Sequence, residues 1–270
     1  RRVHGDNFRC KFETEEKMEH RPPDLLDCSL GIADNGSREW PLPGKTVLIL
    51  DRIESSGSFI LHQLVKRALL SETSAGIFLA FARPVIHYDR IFRKLGCNLA
   101  AHRKSQRFHL LELTTSDLCD TAALAALYEK IHKSVQSFPE TFRNNITLVI
   151  DDVLIMEVAS NGCSSSVVDF IYYCHTLTSE FGCTLLLLNH EDIYDEIDNP
   201  TLHRQLKLLA DIIIQVEPLS TGFASDVHGQ ISVLNRGFIG RNGTVEKKVS
   251  NFQFMVKENV VEYFYPGARI

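Results

Sequence analysis

Five runs of mainly apolar residues recur along the chain, each of a length suited to one strand. A continuous apolar run, without polar residues at alternate positions, is typical of a strand buried on both faces of a parallel sheet. Segments with apolar residues at helical spacing lie between the runs, so we predict an α/β fold with a mostly parallel sheet between helices. The predicted strands are Thr46–Leu50, Ile77–Phe81, Phe108–Leu113, Ile146–Ile150 and Thr184–Leu188.

Beyond residue 210 the pattern changes, because strand-like segments follow one another with only short turns between them. Such spacing leaves no room for crossover helices, and therefore predicts antiparallel strands that extend one edge of the same sheet. The four segments are Ile212–Val216, Gln230–Leu234, Asn251–Val256 and Val260–Tyr265.

The first 22 residues contain six Lys or Arg, five Asp or Glu and few branched apolar residues. Such a segment has little to bury, so we expect residues 1–22 to be a disordered N-terminal extension. The remaining residues, 23–270, show no internal repeat and no second change of composition that would mark another domain. We therefore predict one domain over 23–270.

Charge and cysteine content exclude several classes of protein. The chain has 29 Lys and Arg against 34 Asp and Glu, a net charge of −5, which argues against nucleic-acid binding through overall charge alone. The seven cysteines are scattered and never spaced C-x-x-C, which is unlike a disulfide framework or a zinc module. These features favour a reducing compartment, and no apolar run is long enough to predict a membrane span.

The loop after the first predicted strand lies where a phosphate-binding P-loop would be. A working loop reads G-x-x-x-x-G-K-S/T, with glycines that let backbone amides surround phosphates, a lysine and a hydroxyl ligand for magnesium. The aligned stretch is Arg52–Phe59, in which only the second glycine, Gly57, is kept. Ser58 replaces the lysine, Phe59 replaces the hydroxyl ligand, and Glu54 adds negative charge beside the phosphate position. We therefore expect no conventional ATP binding by this loop.

Asp151 and Asp152 follow the fourth strand, where the acid of a Walker B strand would stand. Acids at strand ends also commonly cap the next turn or helix, so capping and a vestigial nucleotide role are both open. Other catalytic signatures, namely G-x-S-x-G, G-x-G-x-x-G and H-E-x-x-H, do not occur. His190 precedes an acidic run at 191–198 that favours a solvated loop over a metal site. We predict no catalytic residue, no metal and no cofactor.

Two basic segments are candidates for contact with RNA. Residues 83–107 contain seven Lys or Arg and one Asp, and residues 236–248 contain four Lys or Arg around three glycines. The alternative for each is a solvated basic surface, namely a helix and a glycine-rich hairpin, because neither pattern is specific. The candidate residues are Arg236, Arg241, Lys247 and Lys248 in the second segment, and Arg103, Lys104 and Arg107 in the first.

Several segments resemble the Elongator subunit-six family, over residues 24–266 in all. The most specific is Thr221–Gln230, which reads T-G-F-x-x-D-V-H-G-Q, where x is any residue. The others are Leu50-Asp51, Gly57–His62, Leu148–Asp152 and Asp169–Cys174. The resemblance implies a RecA-like, three-layer fold that has lost its P-loop motif.

The resemblance also implies a function. Members of this family form a heterohexameric ring with Elongator subunits four and five, in two copies each, and the ring associates with the catalytic subcomplex and binds tRNA. Elongator modifies wobble uridines of tRNA, with its chemistry in another subunit, in the cytoplasm and nucleus. The leading hypothesis is therefore a non-catalytic structural subunit, without a membrane partner. The alternative is an ATPase whose non-standard nucleotide site lies at a subunit interface and regulates tRNA binding.

Overall fold

The computed structural model describes residues 24–31, 42–194, 200–220, 222, 224, 226–239, 244–258 and 260–267. Nine strands in this part of the chain form one sheet in the order β3-β2-β4-β5-β1-β6-β7-β8-β9. The strands are Thr46–Asp51 (β1), Ala75–Ala80 (β2), Phe108–Glu112 (β3), Ile146–Ile150 (β4), Thr184–His190 (β5), Ile212–Glu217 (β6), Gly229–Ile239 (β7), Val245–Val256 (β8) and Val261–Phe264 (β9). The α-helices are Leu25–Leu30 (α1), Ser58–Leu69 (α2), Val85–Lys94 (α3), Leu99–Lys104 (α4), Thr121–Ser137 (α5), Val153–Ala159 (α6), Ser164–Phe181 (α7) and Thr201–Leu209 (α8).

The parallel part of the sheet comprises β3, β2, β4, β5, β1 and β6. All five strands predicted from the mainly apolar runs are present, with ends that differ from the prediction by at most two residues. β1 lies between β5 and β6, with Leu50 opposite Asn189 on one side and Gln215 on the other. Every residue of β1, β2 and β4 is buried, which agrees with their mainly apolar sequences.

The antiparallel extension begins one strand later than the sequence pattern predicted. The segment Ile212–Val216 lies in β6, which runs parallel to β1, and only β7, β8 and β9 are antiparallel to their neighbours. The reason is α8, a nine-residue helix that the sequence analysis did not predict. This helix supplies the crossover that returns the chain in the parallel direction.

Two apolar layers cover the two faces of the sheet. Val47 and Ile49 of β1 face a layer built with α1, α2, α3 and α4, whereas Leu48 and Leu50 face α5, α6, α7 and α8. Alternate residues of one strand therefore pack into opposite layers, and both sets must be apolar. The result is a helix–sheet–helix arrangement in which the carboxyl ends of the parallel strands share one edge.

The prediction of a single domain over 23–270 stays a prediction, and the predicted extension at 1–22 lies outside the described residues. Within the described ranges, none of the helices combines the length and the hydropathy that a membrane crossing requires.

Candidate functional site

A cleft of about 540 Å³ lies at the carboxyl ends of the parallel strands. In open α/β sheets this edge is the usual place for a ligand. The cleft walls come from the loop after β1, the start of α2, the segment after β2 with α3, and the ends of β4 and β5. Polar lining residues include Ser56, Ser58, Arg83, Asp151 and His190. This is the region that the sequence analysis compared with a nucleotide site.

The loop between β1 and α2 is closed by its own hydrogen bonds. The Gly57 N–H donates to Oδ2 of the buried Asp51 over 2.6 Å, and the Ser55 N–H donates to the Arg52 carbonyl over 2.9 Å. Further out, the Ile53 N–H donates to Asp192 over 2.9 Å. In a P-loop, amides at this helix start donate to phosphate oxygens. Here a carboxylate of the protein accepts the Gly57 amide instead.

The glycine that survives from the motif has a packing role. Gly57 has an ordinary φ of −86° at the N-cap of α2. A Cβ atom at this position would meet Cγ2 of Ile49 at 2.8 Å and Cβ of Asp51 at 3.2 Å. The loop therefore lies against β1 too closely for any side chain at 57, and this contact explains the glycine without a phosphate.

The two positions after Gly57 differ in where they point. Ser58 lines the cleft, and its hydroxyl lies 3.0 Å from that of Ser56. Phe59, at the position of the magnesium ligand, packs on Phe254 of β8 with 4.8 Å between the ring centroids. Residue 59, where a P-loop has its magnesium-binding hydroxyl, thus contributes to the apolar packing under α2.

His190 joins the ends of three strands. Its Nδ1 lies 2.5 Å from Oδ1 of Asp51, and its Nε2 lies 3.2 Å from Oδ2 of Asp152. We call these three side chains the carboxylate–imidazolium bridge. The hydrogen bonds to Asp152 and Asp51 raise the pKa of His190 to about 10, so the ring is a cation at neutral pH. The other oxygen of Asp152 accepts the Ile155 N–H over 3.0 Å and caps α6.

Asp151 holds the segment that follows β2. Its carboxylate accepts the N–H groups of Phe81 and Ala82 over 2.8 Å and 3.2 Å, and it also accepts the hydroxyl of Tyr88. Burial raises the pKa of Asp151 to about 6, in spite of these hydrogen bonds. Both acids after β4 therefore bind groups of the protein itself. In the described part of the chain, no three His, Cys, Asp or Glu side chains are grouped as a metal ion requires.

Two of the RNA candidates cap the ends of helices. A guanidinium nitrogen of Arg107 donates to the carbonyl of Leu69, the last residue of α2, over 3.5 Å, and to that of Ser71 just beyond it. A guanidinium nitrogen of Arg236 donates to the carbonyls of Lys207 and Ala210, over 2.8 Å each, at the end of α8. Cations at helix carboxyl ends bind the last carbonyls and stabilise the helix. These two arginines therefore have structural partners within the domain.

Two further candidates also have partners. Arg103 forms an ion pair with Asp89 over 2.8 Å. Nζ of Lys248 donates to the Cys28 carbonyl of α1 over 2.9 Å and lies 4.0 Å from the centre of the Phe238 ring. The latter contacts fasten α1 onto the β7–β8 hairpin.

The remaining candidates do not form one surface. Lys104 and Lys247 are exposed, and Arg241 lies outside the described residues. Lys104 precedes β3 at one end of the sheet order, whereas Lys247 lies on β8 near the other end. The structure therefore separates the two groups of RNA candidates instead of bringing them together.

Sequence reasoning missed the bridge, although a signal for it was present. Asp51, Asp152 and His190 each end or follow a buried strand. Carboxyl ends of parallel strands meet at one edge of a sheet, so these side chains were candidates for one cluster. We interpreted the acidic run at 191–198 as a solvated loop and did not apply that rule to His190; residues 195–198 of the run lie outside the described residues.

The T-G-F-x-x-D-V-H-G-Q segment connects β6 to β7. Nδ1 of His228 accepts the Val256 N–H over 3.1 Å at the end of β8. A Cβ atom on Gly229 would meet the Glu217 carbonyl oxygen at 2.5 Å, so β7 approaches β6 too closely there for a side chain. These two residues have structural roles, while Thr221 and Phe223 lie outside the described residues.

The parallel sheet, its two helical layers and the cleft at the strand ends define a RecA-like α/β domain. The fold is shared with a KaiC-like protein from Pyrococcus horikoshii, with a TM-score of 0.58 at 13% sequence identity over 82% of this chain and 90% of that chain. A family model described as Elongation complex protein 6 matches residues 29–258. The chain belongs to the Elongation complex protein 6 family.

Curated relatives agree with this assignment. Elongator complex protein 6 of Xenopus laevis is 26% identical over 246 residues, which cover 83% of this chain and 91% of the relative. The human protein of that name is also 26% identical, with the same coverage of both chains. The Dictyostelium discoideum protein is 19% identical and covers 84% of this chain and 92% of its own length.

Proposed function

We propose that this chain is a non-catalytic structural subunit of the Elongator complex. In this proposal it forms a heterohexameric ring of RecA-like domains with Elongator subunits four and five. The ring associates with the catalytic subcomplex, binds tRNA and supports modification of wobble uridines. The observation that carries the proposal is the family match over residues 29–258, which spans all but the ends of the described domain.

The chemistry of the cleft supports a structural role over a catalytic one. The α2 amide that would donate to a phosphate donates to Asp51, and both acids after β4 bind groups of the protein. A phosphate entering this loop would compete with a buried carboxylate that is already paired with His190. Displacing such a pair costs several kcal/mol, roughly 3–5 by comparison with broken buried ion pairs.

Co-expression with Elongator subunits four and five tests the assembly. We expect the three chains to co-purify, with a native mass that corresponds to two copies of each. A chain that elutes alone in the presence of both partners contradicts the proposal.

In cells that carry the complex, depletion of this chain should lower carboxymethyl-type wobble uridines in tRNA, measured by mass spectrometry of nucleosides. Re-expression should restore them, and imaging of the tagged chain should place it in the cytoplasm and nucleus.

The cleft favours one alternative function, an ATPase with a non-standard site at a subunit interface. It has room for a small ligand and is lined by Arg83 and His87 on one side. Nucleotide titrations of the isolated chain and of the assembled ring separate the two functions. The structural proposal predicts that Arg52→Ala and Ser58→Ala leave any hydrolysis by the ring largely intact. ATP binding by the assembled ring that is lost in a folded Asp151→Asn variant supports the alternative, and tight ATP binding by the isolated chain contradicts the structural proposal.

A further inference from the structure

Positive charge is concentrated in one segment of an acidic chain. Residues 83–107 have seven Lys or Arg and one Asp, a net charge of +6, while the whole chain has −5. The other residues therefore sum to −11. Such an asymmetry produces a local positive potential that the overall charge conceals.

Most of this charge lies on the outer side of α3 and just before it. The exposed cations in this region are Arg83, Arg90, Arg93 and Lys94, which we call the α3 stripe. Arg90, Arg93 and Lys94 lie at helical spacing on α3, whose ten residues extend about 15 Å. A stripe of this length spans several phosphates of a nucleic-acid strand.

The opposite side of α3 explains why the stripe faces outward. Tyr88 and Phe92 are buried in the apolar layer, where Phe92 packs edge-on against His62. Burial of two aromatic rings fixes the rotation of the helix, so Arg90, Arg93 and Lys94 point to solvent whether or not a partner is present.

The cations of the stripe are not neutralised by carboxylates of the described domain. Among the described residues, none of Arg83, Arg90, Arg93 and Lys94 forms an ion pair, while the nearby acid, Asp89, is paired with Arg103. The hairpin candidates differ, because Arg236 and Lys248 have internal partners. Unpaired exposed cations are the groups that can exchange counterions for phosphates.

We propose that the α3 stripe is the surface of this subunit that binds the phosphate backbone of tRNA. This inference rests on the proposed function of the ring, and it places the contact on α3 instead of the β7–β8 hairpin. Binding through aligned cations follows the backbone and reads no bases, so the affinity depends strongly on salt and weakly on tRNA sequence.

The test compares two variants of equal charge in the assembled ring. The stripe variant carries Arg83→Gln, Arg90→Gln, Arg93→Gln and Lys94→Gln. The control carries four changes at exposed positions elsewhere, Lys130→Gln, Lys133→Gln, Arg143→Gln and Arg204→Gln. Binding of an unmodified tRNA transcript is measured by fluorescence anisotropy over a range of salt concentrations. Both variants should keep the wild-type thermal midpoint, because exposed charges contribute little to stability.

We expect the stripe variant to bind tRNA at least about tenfold more weakly, with a salt dependence shallower by about two to three units of slope. The control should stay within about twofold of wild type, since its charges lie on other faces. A variant that keeps the charge, with Arg83→Lys, Arg90→Lys and Arg93→Lys, should retain most of the affinity. These three results together support the stripe.

Other outcomes overturn the inference. A wild-type ring that does not bind tRNA refutes the proposed function and the stripe together. Equal losses of tRNA affinity in the stripe variant and the control mean that overall charge governs binding. An unchanged tRNA affinity in the stripe variant means that the contact lies elsewhere. Either result refutes the stripe but not the proposed function. Stripe-dependent binding of polyglutamate without an effect on tRNA identifies an acidic protein as the partner and also refutes it.

Discussion

The carboxyl edge of the sheet and the outer side of α3 both carry charged side chains, but they use them in opposite ways. At the edge, Asp51, Asp152 and His190 bind one another and backbone amides, so their charges are satisfied within the domain. On α3 the cations face solvent without carboxylate partners in the described residues. The charged residues at the positions of a nucleotide-binding motif therefore have structural partners. The cations of α3, which belong to no recognised motif, remain available for binding.

The largest effect should follow loss of Asp51. Asp51→Ala removes the acceptor for the Gly57 amide and leaves His190 with only one carboxylate. Removing one member of a buried charged pair costs about 3–5 kcal/mol, so we expect a lower free energy of unfolding by about that amount, measured with urea. Glu54→Ala, which removes an exposed carboxylate from the same loop, is the control and should change stability by less than about 0.5 kcal/mol. Equal stability of both variants would show that the bridge is not structural.

The next effect concerns pH and isolates His190. Its pKa is about 10 in the folded protein against 6.5 for an ordinary histidine, so the folded state binds the proton more tightly. The stability that this proton contributes is complete below pH 6.5 and is lost as the pH rises through 10. The wild-type protein should therefore exceed His190→Gln in stability most clearly below pH 6.5, and the difference should shrink toward pH 10.

Asp151 provides an internal check on that pH dependence. Its pKa is raised to about 6 from 3.8, and a raised carboxyl pKa means that stability falls between these two values as the pH rises. That window lies below the window of His190. Urea unfolding of wild type and His190→Gln at several pH values separates the two groups. A difference between the proteins that does not change from pH 6.5 to 10 would contradict the role of His190 as a cation held between Asp51 and Asp152.

Gly57→Ala should have a smaller effect on stability. The new Cβ would meet Cγ2 of Ile49 at 2.8 Å, and the loop must move away from β1 to accept it. Overpacking of this kind costs about 1–3 kcal/mol. Thermal unfolding measures the loss, with Ser56→Ala at an exposed position of the same loop as control. If Gly57→Ala is as stable as Ser56→Ala, the packing explanation for the surviving glycine is wrong.

The fold could be predicted from the sequence because its signals are local. Mainly apolar runs predicted β1 to β5, and the helical segments between them predicted that these strands run parallel. α8 was missed because its nine residues are short and amphipathic and follow an acidic segment. Without that helix, the segment Ile212–Val216 had no crossover, and its direction was predicted wrongly.

The site could be predicted only in part, because its contacts depend on the sheet order. The sequence itself shows that Ser58 and Phe59 stand where a P-loop has its lysine and its magnesium-binding hydroxyl. The bridge requires β5 to lie between β4 and β1, an order that no local pattern specifies. Likewise, Arg236 reaches carbonyls 26 to 29 residues earlier in the chain, so its partners could not be inferred from spacing.

The smallest predicted effect distinguishes a cation that binds groups of the domain, Arg236, from the exposed cations of the α3 stripe. Arg236 donates to two carbonyls at the end of α8, so Arg236→Ala should lower the free energy of unfolding by about 1 kcal/mol through loss of these hydrogen bonds. Because its guanidinium is occupied, the same change should leave the affinity of the ring for tRNA within about twofold of wild type.

Lys247→Gln, at an exposed position of the same hairpin, is the control and should change neither the free energy of unfolding nor the tRNA affinity measurably. A tenfold loss of tRNA binding in either variant would mean that the hairpin, and not α3, faces the phosphate backbone. Unchanged stability in Arg236→Ala would mean that the cap contributes nothing to the domain.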